Sequence, residues 1–317
     1  MLILLLPLPV SLRQPATGTL TLLDCRGREI AEIASPEARA QLPRKLDEMG
    51  NWLPRVTVAL EDHRFYEHGA VDWHASAAAI ARNLKSQRIV SGGSTIAQQL
   101  VKIATGRQWR SWFGKIYETI VAWKIERRWS KERILAEYLN CSSYGNRRLG
   151  PEAAARAYFG KSARDLSLAE VIYLAGLPQA PSRFNPWRHP ELAAAKYERA
   201  LARLAQLGVI TCDEQLLLQK SPPVAHRFDP PRLASHFVDA VIAQHSGVRG
   251  PVKTTLDVDL QIKAEQLLRS HLAAMNRHDI AQAAMVILDN CARASGDAIP
   301  AISCPRQSRS VSVPIAG

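Results

Sequence analysis

The sequence has few cysteines and no pattern of them that would bind zinc or build a disulfide framework. Five cysteines are scattered over 317 residues, and no two of them form a Cys-x-x-Cys pair. They are Cys25, Cys141, Cys212, Cys291 and Cys304. Structural zinc sites and disulfide-stapled small domains depend on paired spacings. Neither class is supported, so stability has to come from an ordinary hydrophobic core.

The sequence also lacks an apolar run long enough to cross a membrane. The opening stretch MLILLLPLPV, at residues 1–10, has about ten residues, whereas a membrane-spanning helix needs ~20. No basic segment precedes it, as a signal peptide would require. The stretch cannot span a bilayer as written, and it is either the end of a truncated anchor or a short apolar strand.

What the sequence does have is a large apolar fraction and a strong positive charge. Hydrophobic residues make up 47% of the chain, which is enough for one large core or two smaller ones. The net charge of +12 favours an anionic partner, such as nucleic acid, an anionic membrane surface or a phosphorylated substrate. Because no helix-turn-helix, zinc or RNP-like motif is present, we expect no nucleic-acid partner.

The stretch from Gly92 to Lys102, GGSTIAQQLVK, combines residue types that bind polar ligands. Gly92 and Gly93 permit a turn that brings backbone N–H groups close to a ligand. Thr95 and Gln98 fit a capping box that opens a helix, and Gln98 and Lys102 would share a face at a spacing of four. An ordinary loop-to-helix junction fits the same pattern, so the neighbouring sequence has to decide.

Four further blocks supply that context. They are ALEDHRFYEHGAVD (59–72), KIYETIVAWKIERR (115–128), KERILAEYLN (131–140) and AAARAYFGKSARDLSLAEVIYLAGLPQAPSRFNP (153–186). In sequence and spacing, the blocks resemble the family 51 glycosyltransferases, peptidoglycan polymerases that occur alone or as the N-terminal half of class A penicillin-binding proteins. The resemblance covers roughly residues 50–210. The PLPV and TLTLLDCRGREIAEI segments are most similar to the penicillin-binding protein 1C branch.

The resemblance and the residue patterns divide the chain into six segments. We assign 1–17 to the end of a truncated membrane anchor, 18–49 to a small β segment, 50–210 to the glycosyltransferase domain, 211–251 to a proline-rich linker, 252–290 to an incomplete start of a transpeptidase region, and 291–317 to an aperiodic tail. The fold class is mainly α, and the resemblance implies a lysozyme-like domain. Since the sequence contains neither Ser-x-x-Lys nor Lys-Thr-Gly, we expect no transpeptidase activity.

Local patterns predict several elements in detail. Alternating residues around Arg26-Gly27 predict a β-hairpin. Helical spacing places Ile116, Ile120 and Trp123 on one face of a helix over 115–128. The next helix carries an apolar stripe made of Ile134, Leu135, Tyr138 and Leu139. Ser167 and Glu170 fit a second capping box. A further helix is predicted to begin at Pro190 and to end at Gly208.

The resemblance assigns the chemistry to two glutamates. Glu61 matches the catalytic glutamate of the Glu-Asp-x-x-Phe block, a general base that takes the proton of the acceptor sugar's 4-hydroxyl. Glu118 matches the second carboxylate of the family, on the donor side. Two structural alternatives stay open. Glu61 and Asp62 could simply begin a helix, and Glu118 could be an exposed helix acid paired with Lys115.

The resemblance also implies a polar, cationic surface for substrate. Cations stabilise the charge of a leaving pyrophosphate, and Lys102, Arg110 and Lys115 match the positions that contact it. The full predicted substrate-binding set is Asp62, Phe65, Ser94, Gln98, Gln99, Lys102, Arg110 and Lys115. No self-contained set of metal ligands is legible, so Mg²⁺ would arrive with the pyrophosphate. No organic cofactor is expected, and His68 is interpreted as a structural residue that orients a loop.

Together these features predict a peptidoglycan glycosyltransferase that polymerises lipid II by inverting transfer from undecaprenyl pyrophosphate to a GlcNAc 4-hydroxyl. Its expected partners are lipid II, the growing glycan strand, the membrane surface and a cell-wall synthesis complex, at the periplasmic face of a bacterial inner membrane. Ala70, Ile103 and Gly114 stand where the family usually has glycine, asparagine and arginine. The departures leave open an inactive remnant that binds substrate without catalysis, and a lysozyme-like lytic enzyme is a further alternative.

Overall fold

The computed structural model describes residues 9, 19–33, 40–74, 77, 93–106, 112–244, 248–275, 283–285 and 287. The chain divides into two units, one that takes in Glu37–Asp229 and another that takes in Gly18–Pro36 together with the chain from Pro230 onward. In chain order the elements are β1 (Leu20–Leu23), β2 (Glu29–Ile33), β3 (Ala40–Gln41), α1 (Trp52–Glu61), α2 (Ile96–Thr105), α3 (Trp112–Glu126), α4 (Lys131–Cys141), β4 (Arg148–Leu149), α5 (Pro151–Phe159), α6 (Leu168–Ala175), α7 (Pro190–Gln206), α8 (Cys212–Lys220), α9 (Ser235–Gln244), β5 (Pro251–Lys253) and α10 (Val258–Met275).

The larger unit is mainly helical, as the sequence predicts, and α2 lies at its centre. Helix α2 packs against α3 and α4, while α1 packs against α6 and α7. Leu100 and Val101 of α2, Ile125 of α3 and Leu135 of α4 are fully buried in a shared core. The only regular pairing of strands within the described part of this unit is the short parallel contact of β3 with β4. Polar residues on α2 are therefore carried by a well-packed scaffold.

The apolar stripe predicted for α4 is confirmed, but the face predicted for α3 is not its core face. In α4, Ile134, Leu135, Tyr138 and Leu139 are all buried. In α3, Ile116 and Trp123 are exposed, at 47% and 40%. The buried face of α3 instead carries Glu118, Val121, Ala122 and Ile125. Both faces have the spacing of an amphipathic helix, and the face that includes the Glu118 carboxylate is the one that packs against the core.

Helix ends follow the predicted capping chemistry in most cases. The Ser167–Glu170 capping box opens α6, and Pro190 is the first residue of α7. Gly208 lies just past the end of α7 with φ +68°, a conformation that glycine adopts without strain. Thr211 and Glu214 form a further capping box that opens α8. Helices α8 and α9 thus lie within the region predicted to be a linker.

The smaller unit combines residues from both predicted flanking regions. The predicted hairpin forms, with β1 antiparallel to β2, and β5 adds to β1 in parallel, giving the order β2-β1-β5. Its core contains Leu22, Ile30 and Val241. Arg26 and Arg28 of the hairpin pair with Asp259 of α10 at 2.6 and 2.8 Å. The predicted β segment and the predicted start of the transpeptidase region therefore contribute to one unit.

Two predicted segments fall largely or wholly outside the described residues. They are the anchor at 1–17, of which only residue 9 is described, and the tail at 291–317. Within the part of the chain that the structure describes, no helix has both the length and the apolar character needed to cross a membrane.

Candidate active site

Glu61 is the last residue of α1, and its carboxylate is held by a side chain from α2. Glu61 Oε2 accepts a hydrogen bond from Gln99 Nε2 at 3.1 Å. The other end of that amide is fixed from α4, because the Tyr138 hydroxyl donates to Gln99 Oε1 at 3.2 Å. A hydroxyl donor on Oε1 leaves the NH₂ group to face Glu61. Residues from α1, α2 and α4 therefore set the orientation of this carboxylate.

The electrostatic surroundings of Glu61 favour its protonated form. Burial raises the pKa of the half-buried Glu61 carboxyl, while the Gln99 hydrogen bond and the charge of Lys196 lower it in part. Burial, followed by the charge of Glu61, raises the pKa of Tyr138 well above its ordinary value. The Tyr138 hydroxyl thus remains a donor, and Glu61 is a carboxylate with a proton affinity above that of an exposed glutamate.

Asp62 and Phe65, two predicted substrate-binding residues, are buried and bonded within the protein. Asp62 Oδ2 accepts from the backbone N–H of Ile96, the first residue of α2, at 3.0 Å. Asp62 Oδ1 lies 2.7 Å from His68 Nε2, in keeping with a structural role for His68. Phe65 is fully buried, with the ammonium of Lys131 4.5 Å from its ring centroid. Neither side chain offers a free surface to substrate in this structure.

The start of α2 is capped by Thr95, but the predicted capping box is not closed. Thr95 Oγ1 accepts from Gln98 N at 3.3 Å and donates to Ala70 O at 2.9 Å. The Gln98 amide does not return to the cap; it donates to Thr119 Oγ1 of α3 at 3.1 Å. Gln98 is buried, and Lys102, one turn further along, is exposed. The two side chains thus meet different surroundings despite their spacing of four.

Glu118 lies on the buried face of α3 in a polar cluster with two other predicted site residues. Lys115 Nζ donates to Glu118 Oε2 at 3.1 Å and to Ser94 Oγ at 2.8 Å. Glu118 is only 8% exposed, so it is not the exposed helix acid of the structural alternative, although its pairing with Lys115 does form. Arg110 lies outside the described residues.

Helix α2 links the two carboxylates. Gln99 bonds Glu61, and its neighbour Gln98 bonds Thr119, which directly follows Glu118. Residues predicted from separate blocks, at 61, 94, 98, 99, 115 and 118, therefore converge through hydrogen bonds around the first turn of α2 and its neighbours.

Two parts of the site were not predicted from the sequence. Tyr138 was interpreted only as part of an apolar stripe, yet its hydroxyl fixes Gln99. A cavity of about 100 Å³ beside Glu61 is lined by Leu60, Glu61, Ala175, Gly176, Gln179, Lys196, Arg199, Ala200 and Arg203. Its cations come from α7, where a spacing of three to four residues is also typical of a solvated helix face. The sequence therefore contains no signal that distinguishes cations lining a cavity from cations on an ordinary solvated helix face.

One group of residues in the described part of the chain has ligand atoms close enough to hold a metal ion. The ligand atoms of Asp62, His68 and Asp72 all lie within 4.8 Å of one another. Both Asp62 oxygens are already engaged, by His68 and by the Ile96 amide. Mg²⁺ prefers oxygen ligands in near-octahedral geometry, so this group does not fit a resident magnesium site.

Comparison with known families identifies the class of protein. Residues 26–205 match the family described as transglycosylase. That match spans more than half of the chain and includes every predicted site residue. The chain belongs to the transglycosylase family, the family 51 glycosyltransferases.

Curated relatives of the chain are penicillin-binding proteins. Penicillin-binding protein 1A of Aquifex aeolicus is 35% identical over 235 residues, which cover 72% of this chain and 32% of the relative. Penicillin-binding protein 1A of Pseudomonas aeruginosa is 37% identical over 225 residues, covering 68% and 27%. The chain thus spans about a third or less of these relatives, and its assignment to the 1C branch stays a prediction. A solved structure, penicillin-binding protein 1A of Haemophilus influenzae, matches with a TM-score of 0.41 and 21% identity, over 88% of this chain and 33% of that one.

Proposed function

We propose that this chain is a peptidoglycan glycosyltransferase that polymerises lipid II. The observation that carries the proposal is the hydrogen-bonded carboxylate of Glu61 at the end of α1, with a raised pKa and an amide partner on α2. A general base works best when its pKa approaches the working pH. Membership of the transglycosylase family supplies the class of reaction for that base.

In the proposed reaction, Glu61 removes the proton from the 4-hydroxyl of the acceptor GlcNAc. The freed oxygen attacks the anomeric carbon of the donor sugar, the bond to the lipid pyrophosphate breaks, and the configuration inverts. One carboxylate is sufficient for this step because the nucleophile comes from the substrate. The leaving pyrophosphate takes the electron pair and needs cationic stabilisation.

Lys115, Lys102 and Arg110 are the cations proposed to meet that leaving group. Lys115 is supported by its contacts, because its ammonium joins Ser94 to Glu118. Glu118 would hold this ammonium in place on the donor side. Lys102 is exposed on the last turn of α2 and so is accessible to a large anionic substrate. Mg²⁺ bound to the pyrophosphate would add charge compensation there.

We further propose that the reaction takes place at the periplasmic face of a bacterial inner membrane. A polyprenyl-linked substrate stays in the bilayer, so the enzyme has to work at its surface. Phe113, Ile116 and Trp123 of α3 are exposed, at 62%, 47% and 40%. They lie on the same helix as Lys115 and Glu118, which suits an approach to lipid beside the donor site.

The test is incubation of the purified chain with labelled lipid II, detergent and Mg²⁺, followed by gel separation of glycan strands. Lengthened glycans are expected. Shortening of preformed glycans would instead indicate a lytic enzyme, and binding of lipid II without products would indicate a non-catalytic remnant. Either result would overturn the proposed activity.

A further inference from the structure

A second cationic surface lies beside Glu61, apart from the residues on α2 and α3 assigned to the leaving group. It belongs to the cavity of about 100 Å³ between the end of α6 and helix α7. That volume far exceeds the ~10–15 Å³ that holds a single water molecule. The cavity is therefore large enough for a small polar group of a ligand.

Three cations of α7 line this cavity together, against one carboxylate. Lys196, Arg199 and Arg203 recur at spacings of three and four, which places them on one face of the helix. Glu61 is the only acidic residue of the lining, and none of the three cations forms an ion pair within the described part of the chain. The lining thus carries more positive than negative charge, because Glu61 offsets only part of the charge of the three cations.

Lys196, Gln179 and Arg199 each use only some of their polar atoms in hydrogen bonds within the protein, so N–H donors remain for a ligand. Lys196 Nζ donates to Gln179 Oε1 at 2.5 Å, so the NH₂ end of Gln179 remains a donor. Arg199 Nε donates to Ala195 O at 3.0 Å, which leaves its terminal nitrogens. Burial lowers the pKa of Lys196, and the charge of Arg199 adds to that effect while Glu61 opposes it. Lys196 therefore lies close enough to both Glu61 and Arg199 to interact with their charges.

We propose that this cavity is an oxyanion site that binds a phosphate or pyrophosphate group. One lysine and two arginines suit a multiply charged oxyanion better than a single carboxylate, because arginine offers a fork of donors and lysine adds a point charge. Gln179 supplies a neutral donor to the same ligand. The cavity shares Glu61 with the proposed catalytic site. Binding of an oxyanion there can be tested without the proposed function, but the assignment of that oxyanion to the diphosphate of a lipid-linked substrate rests on that function.

The direct test is calorimetric titration of the full chain with inorganic pyrophosphate at low ionic strength. The double variant Arg199→Gln/Arg203→Gln should weaken binding about tenfold or more, since hydrogen bonds between charged groups are lost. Both side chains are exposed, so the fold should be kept, which circular dichroism checks. Arg199→Lys/Arg203→Lys retains the charges and should retain most of the affinity.

Matched controls locate the effect. Lys220→Gln removes an exposed cation at the end of α8, outside the cavity lining, and should leave the affinity unchanged. Lys102→Gln tests α2 as the place of binding. An unchanged affinity in the arginine double variant, or a loss that appears only with Lys102→Gln, would overturn the site.

The source of the bound group is separated by kinetics with lipid II. A raised KM with little change in kcat in the double variant assigns the site to the diphosphate of the substrate. An unchanged KM, with pyrophosphate binding still lost, assigns it to a free phosphate or pyrophosphate ion. If the wild-type chain makes no glycan yet binds pyrophosphate through these arginines, the site stands and the proposed function fails.

Discussion

The two glutamates of the candidate site lie in contrasting surroundings. Glu61 accepts from a neutral amide, Gln99, and burial raises its pKa. Glu118 accepts from the ammonium of Lys115, which it shares with Ser94. A carboxylate with a neutral partner can exchange its proton, whereas one that pairs with a cation serves to hold that cation in place. The contrast supports the roles proposed above, proton transfer by Glu61 and positioning of a cation by Glu118.

The largest expected effect comes from removing the base. Glu61→Gln keeps the size of the side chain and one acceptor oxygen for Gln99, but the amide cannot take up a proton. Loss of general-base catalysis costs about 10²- to 10⁴-fold in rate, measured as glycan formation from lipid II. The control is Glu191→Gln, which changes an exposed glutamate in the first turn of α7. Near-normal turnover in Glu61→Gln would remove the contrast between the two glutamates.

A smaller but still severe loss is expected for the positioning carboxylate. Glu118→Gln releases the Lys115 ammonium from one of its two partners, so the cation no longer has a fixed place near the leaving group. Loss of one electrostatic contact of this kind costs roughly 10²-fold in kcat. If Glu118→Gln were as damaging as Glu61→Gln and shifted the acidic limb of the pH profile, Glu118 would be acting as a base as well.

Family membership and most helices could be predicted from the sequence, because blocks such as KERILAEYLN and caps such as Ser167–Glu170 are local signals. The contacts of the site could not. Gln99 and Glu61 are 38 residues apart, and spacing alone does not say which glutamine of a pair reaches which acid. Helix α3 shows the limit most clearly, because Glu118 lies on its buried face while Ile116 and Trp123 are exposed.

The site residues that could not be predicted from the sequence are those whose spacing already fits an ordinary structural role. Tyr138 packs in the core as an aromatic residue and also donates to Gln99. Periodicity reports the first role and carries no information about the second. The cations of α7 likewise have the spacing of an ordinary solvated face. Only the packing of α7 against α1 and α6 brings them to Glu61.

A moderate effect is expected from freeing the Gln99 amide. Tyr138→Phe removes the hydroxyl that holds Gln99 Oε1, so the amide can rotate and present its oxygen to Glu61. Glu61 then loses a donor that favours its charged form, and its pKa rises further. The acidic limb of the kcat/KM profile should therefore move to higher pH, with a loss of several-fold on that limb, as for a hydrogen bond worth about 1 kcal/mol.

The control for this change is Tyr197→Phe. Tyr197 is another buried tyrosine of the larger unit, and its hydroxyl donates to Leu218 O at 3.1 Å. Its loss should lower stability to a similar extent without moving the pH profile. A shift of equal size in both variants would mean that Tyr138 acts through general stability and not through Gln99.

The smallest expected effect is on stability, and it has the opposite sign to the effect on activity. The pKa of Glu61 is raised in the folded state from its ordinary value of 4.5, so the folded protein binds this proton more tightly than the unfolded chain. Stability from this group is therefore greatest below pH 4.5 and falls as pH rises through the folded-state pKa. Above the folded-state pKa the folded protein carries the cost of an ionised, partly desolvated carboxylate. Glu61→Gln should remove that cost and raise Tm at neutral pH, with little change at low pH, whereas Glu191→Gln should leave Tm unchanged at both.

Equal Tm values for wild type and Glu61→Gln at neutral pH would show that Glu61 is as well solvated as an exposed glutamate. The contrast with Glu118 would then rest on hydrogen-bond partners alone.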